Sequence, residues 1–101
     1  MATDFPSDLV DLQRRVHAAW DAVEAHRKAV NADRKATATP GAERHSQPVL
    51  RLWTEEEDAR HAELMAAVRE ATDARRAALA GSGLGASYDV VQDLHAAARE
   101  V

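Results

Sequence analysis

Residues 8–36 read DLVDLQRRVHAAWDAVEAHRKAVNADRKA, and their spacing decides the fold. Leu9, Leu12, Val16, Ala19, Val23 and Val30 recur at helical intervals along one stripe, the seam of a helix that packs lengthwise on another. Trp20 flanks this seam. Further along, the seam positions fall on His26 and Asp33, so the packing face turns polar toward the C-terminal end. Upstream, Pro6 limits backward extension and Asp4, Asp8 and Asp11 suit the positive end of the helix dipole. Ser7 is the expected side-chain cap.

Working outward, Pro40-Gly41 marks a break over residues 37–53. Within it, residues 48–53 (PVLRLW) fit a helical turn or an extended apolar strap. The favoured reading is a turn that drops Leu50 and Trp53 onto the open end of the hairpin. A second helix is expected over about 54–80, opened by a capping box between Thr54 and Glu57. Its apolar face comprises Leu64, Met65, Val68, Ala71, Thr72 and Leu79, and Gly81 is the expected left-handed C-cap. A linker over 81–86 (GSGLGA) leads to a short third helix over about 87–100. That helix is capped by Ser87, with Val90, Val91, Leu94, Ala97 and Val101 on one side. So short a helix needs tertiary packing to persist in water.

Charge supplies an independent check. The first helix starts acidic and ends with Arg27, Lys28, Arg34 and Lys35. The second starts with Glu55, Glu56, Glu57 and Asp58 and ends with Arg75 and Arg76. Each set complements its own dipole, and an antiparallel pair also brings opposite signs together. The fold expected is therefore all-α, a single helical domain over residues 1–101. It is a long, coiled-coil-like antiparallel hairpin with a short C-terminal helix folded against it or exchanged with a partner.

Composition narrows the function. The chain has 101 residues, and alanine supplies half of the 46% hydrophobic fraction, with one Phe, one Tyr, two Trp, two Met and no Ile. An alanine-rich seam buries little apolar area, so a lone hairpin is marginal and self-association is the expected remedy. A net charge of −4 speaks against a nucleic-acid binder. The chain has no cysteine, hence no disulfide or thiolate metal site. No signal-peptide pattern or bilayer-length apolar run is found, so a cytoplasmic location is expected.

Several constellations invite chemistry. Pairing Leu9 with Leu79 in antiparallel register sets Val23 near Met65, His26 near His61, and Val30 beside Glu57 and Asp58. Asp58 and His61 stand three apart, the spacing at which a carboxylate and an imidazole share a helix face and a metal. His26, Glu57, Asp58 and His61 are accordingly the candidate metal ligands. The bland alternative makes them seam-edge residues and an acidic helix cap, and no metal or other cofactor is assigned. Arg14, Lys28 and Lys35, with Arg15, Arg27 and Arg34 beside them, form a basic stripe on the first helix. Interrupted by Asp21 and without aromatic platforms, it reads as a solvated face rather than a phosphate track. His45-Ser46 lacks the surroundings of a nucleophile, and the glycines of residues 81–85 follow a helix rather than a strand, as a linker does. Trp20, Trp53 and Tyr88 either seed an interaction surface or plug the ends of the core.

Residues 56–65 (EEDARHAELM) loosely resemble the second helix of encapsulated-ferritin two-helix chains. The motif here is Asp-x-x-His rather than Glu-x-x-His, and Glu24 lies off the seam. As a whole, FPSDLVDLQRRVHAAW (5–20) and the Ala/Arg-rich second helix resemble short helical proteins of high-GC actinobacteria. That resemblance carries no activity over. Small secreted Trp-x-Gly hairpins differ at their turn, since Trp53 precedes Thr54-Glu55 here.

The function expected from the sequence is a non-enzymatic helical interaction module, a homodimer or a subunit binding another helical protein. Its surface is drawn from Leu9, Leu12, Val16, Trp20, Val23, Leu64, Met65 and Val68. A metal-binding hairpin and a DNA-associated regulator are the alternatives.

Overall fold

A computed structural model describes residues 5–41, 47–85 and 87–100 of the chain. The expectations placed on Asp4, His45-Ser46, Ala86 and Val101 lie outside the described residues. The fold is all-α: helix α1 (Ser7–Ala36), helix α2 (Glu55–Gly81) and helix α3 (Tyr88–Arg99). α1 and α2 pack as an antiparallel hairpin, and α3 folds back onto the start of α1. Among the described residues no helix is long and apolar enough to cross a membrane.

The helix ends show which side chains close them. At α2 the capping box is complete. The Glu57 amide donates to Thr54 Oγ1 at 3.1 Å, and the Thr54 amide donates to Glu57 Oε1 at 2.9 Å. α3 starts on Ser87, whose Oγ accepts from the Val90 amide at 3.4 Å. α1 departs from expectation. Ser7 is already inside the helix, and the cap position is Pro6, which makes no side-chain cap bond. The Pro6 carbonyl instead accepts from the Leu9 and Val10 amides at 3.1 and 3.2 Å. Proline's fixed φ (−55° here) and the dipole-facing Asp8 suffice to start the helix.

Gly81 is likewise not the left-handed cap. It is the last helical residue, and the chain stays right-handed through Ser82 at φ −81°. The Ser82 amide and hydroxyl both donate to the Leu79 carbonyl, at 3.2 and 2.7 Å, satisfying an acceptor that a glycine cap would otherwise have served. Reversal is deferred to Gly83 (φ +79°).

Residues 47–53 form an extended strap, not a turn. Thr39 and Val49 pair as an antiparallel bridge, the Thr39 amide to the Val49 carbonyl at 2.9 Å and the return bond at 2.7 Å. Leu50 and Leu52 stay exposed, Leu52 at 85%, and only Trp53 comes down onto the helices. Arg51 fixes the strap. Its guanidinium pairs with Asp33 of α1 at 2.6 Å and Glu57 of α2 at 2.7 Å, while its carbonyl accepts from Arg34 Nε at 2.6 Å. Those bonds hold the backbone extended, and Pro48 already disfavours helix at the residue before it.

The core has two parts. Near the termini of the hairpin, Leu9, Leu79 and Leu94 form a three-helix cluster, backed by Phe5, Val10, Ala78, Leu84, Val90 and Val91. Farther along, the buried seam is two helices thick and made of Val16, Val23, Val30, Val68 and Ala71. Arg14 ties the C-terminal end of α3 down, donating to the Ala98 and Glu100 carbonyls at 3.1 and 2.9 Å. Those carbonyls lack helical partners and form the negative end of α3, where a guanidinium is well placed.

Candidate functional site

Gln13 is the only buried polar residue among the described ones, with no exposed surface at all. The register that pairs Leu9 with Leu79 sets Gln13 at the level of Arg75 and Val16 at the level of Thr72. All four line one cleft of about 550 Å³, completed by His17, Trp20 and Asp21 of α1 and by His95 and Arg99 of α3. The cleft opens where the three-helix core gives way to the two-helix seam. α1 supplies Gln13 and His17 one turn apart, α2 supplies Arg75, and Leu94 anchors α3 so that its neighbour His95 reaches the same space.

The polar atoms are connected as follows. Gln13 Nε2 lies 3.1 Å from His17 Nε2. With the amide in this orientation Gln13 donates and His17 Nε2 accepts. The His17 and His95 rings meet edge to face, centroids 5.4 Å apart. Burial pushes the His17 pKa below the ordinary histidine value. Arg99 adds to this, and Asp21 opposes it. His95 is lowered in the same way, by burial first and then by His17, Arg75 and Arg99. Burial also lowers Arg75, helped by Arg76. Among the described residues Gln13 Oε1 and Arg75 Nε are buried without a hydrogen-bond partner. The cleft thus concentrates donors and positive charge, with Asp21 its single carboxylate.

The residues singled out in the sequence fall elsewhere. His26, Glu57 and His61 do come together at the strap end of the hairpin, but around Trp53. Its ring lies edge-on between the two imidazoles, 5.7 Å from His26 and 5.8 Å from His61. His26 Nε2 bonds to the Glu57 carbonyl at 2.9 Å, so that nitrogen carries the proton and is a donor, not a ligand. The Glu57 carboxylate is held by both Arg51 Nη atoms. Asp58 and His61 line a neighbouring cleft with Arg27, Leu52 and Trp53. Among the described residues no group of three or more His, Asp or Glu could hold a metal ion.

Half of the basic stripe is occupied by the fold: Arg14 holds α3, Arg27 pairs with Glu24 at 2.8 Å, and Arg34 holds the strap, while Arg15, Lys28 and Lys35 face solvent. Of the proposed surface residues, Leu9, Val16, Val23 and Val68 are buried within the chain. Leu12, Leu64 and Met65 are half-buried, and Trp20 is 47% exposed.

Sequence reasoning passed over Gln13 and Arg75, although both interrupt the apolar seam. The signal was available: in the register already inferred, two polar residues fall at one level. His17 and His95 carry no such mark, since their meeting depends on where α3 docks. The chain matches no family model, no curated protein and no solved structure.

Proposed function

We propose that the protein is a non-enzymatic helical interaction module that works as a homodimer, its second copy covering the flank of the hairpin beyond α3. The observation that carries this reading is surface in excess of what a folded chain of this size keeps. The radius of gyration is 19.3 Å, where a compact chain of this length has about 13 Å. The accessible surface is 7408 Å², against about 5,600 Å² for a compact monomer of this mass. The excess, about 1,800 Å² per chain, is more than the roughly 800 Å² each partner contributes to a standard interface.

The half-buried Met65 marks the flank in question, in a groove it shares with Val68, Arg69 and Arg76 and apart from the cleft beside α3. A second copy laid there would thicken the two-helix seam where it is thinnest.

Light scattering over about a hundredfold range of concentration tests the reading. The expected mass is twice the 11.0 kDa of the chain, falling to one chain in Met65→Glu. A monomer at every concentration overturns it.

A further inference from the structure

We propose that the three-helix cleft is a binding site for a small organic carboxylate that carries its own hydrogen-bond donor, gripped by Arg75 and Arg99 and laid against Trp20. The cleft is lined by cations without a carboxylate partner. Five arginines, at positions 14, 27, 51, 60 and 76, have a carboxylate within ion-pair distance. Among the described residues neither Arg75 nor Arg99 has one, although both line the cleft. Arg75 is half-buried with its Nε orphaned. An unpaired buried donor on a cation is costly, and a planar oxyanion is the partner whose geometry matches a guanidinium fork.

The remaining lining refines the ligand. The acceptor offered to the open cleft is the Asp21 carboxylate. It calls for a hydroxyl or amine on the same molecule. Val16 and the exposed ring of Trp20 supply an apolar wall for a carbon skeleton. A volume of about 550 Å³ falls in the ordinary range of small-molecule sites. Inorganic phosphate fits less well. It has no carbon skeleton for the Trp20 wall, and its higher charge would face Asp21.

Binding also couples to protons. His17 and His95 face Arg75, Arg99 and Asp21, and a bound carboxylate adds a negative charge that favours both imidazolium forms. While α3 stays docked, affinity therefore rises as pH falls, and the protein takes up protons as the ligand binds.

Salicylate serves as the probe, with benzamide and inorganic phosphate for comparison, read by the Trp20 indole and the His17 and His95 ring resonances of the full chain. Salicylate is expected to shift all three rings saturably and more tightly at lower pH, with benzamide inert. Arg75→Gln should weaken binding at least about tenfold, the loss of one charge-assisted pair. Should that variant fail to fold, Arg99→Gln at the exposed end of α3 decides, with a smaller loss expected. The proposal is overturned if salicylate gives no saturable shift, if both variants that fold bind as the wild type does, or if phosphate binds more tightly than salicylate.

Discussion

His17 of α1 and His95 of α3 meet edge to face at 5.4 Å, a contact between titratable rings that spans two helices. Both pKa values lie below the ordinary 6.5, chiefly through burial. The sign follows directly. A histidine whose folded pKa is depressed binds protons more readily unfolded, so stability is full above about pH 6.5 and falls as pH drops through that value. Acidification also sets two imidazolium rings beside Arg75 and Arg99, with Asp21 alone to offset them. The expected outcome is undocking of α3 as pH falls below about 6.5, seen as loss of amide protection over residues 88–99 before the hairpin melts. His95→Gln should flatten that dependence. A wild-type protection profile independent of pH would contradict the argument.

The two long helices predict opposite responses at their first turns. Thr54 accepts from Glu57 and completes a reciprocal box, so Thr54→Ala should lower the urea-unfolding free energy by about 1 kcal/mol. Ser7 makes no cap bond and lies exposed inside α1. Ser7→Ala should therefore change stability by less than about 0.5 kcal/mol. Equal losses would mean that α1 starts on Ser7 after all.

Arg51 joins three segments through one guanidinium, and its effect is legible in the Glu57 carboxyl. Arg51, then the Thr54 amide, hold that group at about 2, far below the ordinary carboxylate range. Stability from this contact is present above the unfolded carboxylate value of about 4.5 and is lost as pH falls toward 2. The ring resonances of Trp53, which the strap lays between His26 and His61, should report the release. In Arg51→Met the release should move up into the ordinary carboxylate range. An unchanged acid midpoint would show that Arg51 does not hold the strap.

What the sequence reveals and what it withholds divide along sequence separation. Leu9 to Val30 and Leu64 to Leu79 declare two amphipathic helices, and Thr54 with Glu57 declares a start, because each signal lies within a turn or two of its partner. The antiparallel register followed from pairing Leu9 with Leu79; it set His26 near His61, whereas the structure places the Trp53 ring between the two and bonds His26 to the Glu57 carbonyl. The strap was different. Val49, Leu50, Leu52 and Trp53 suit a turn as well as an extended run, and the deciding bond joins Arg51 to Asp33, eighteen residues away. The cleft needed a third helix whose docking a glycine-rich linker leaves open. Ser82 made the same point on a smaller scale: a hydroxyl that closes on Leu79 outcompeted the glycine beside it.

Gln13 tests whether the seam was shaped for stability. It is fully buried at a position where Leu9 and Val16, its seam neighbours, are apolar. It makes one bond, to His17, and leaves Oε1 unpartnered. A net hydrogen bond contributes about 1 kcal/mol, while an orphaned buried acceptor costs about 1–3 kcal/mol. Replacing the amide with a branched alkyl group of similar volume removes both and adds apolar contact in the seam. His17 Nε2, freed of Gln13, still faces the open cleft and can be solvated there. Gln13→Leu should therefore raise the unfolding free energy by about 1 kcal/mol. A destabilisation of similar size would instead make Gln13 a structural member of the three-helix core.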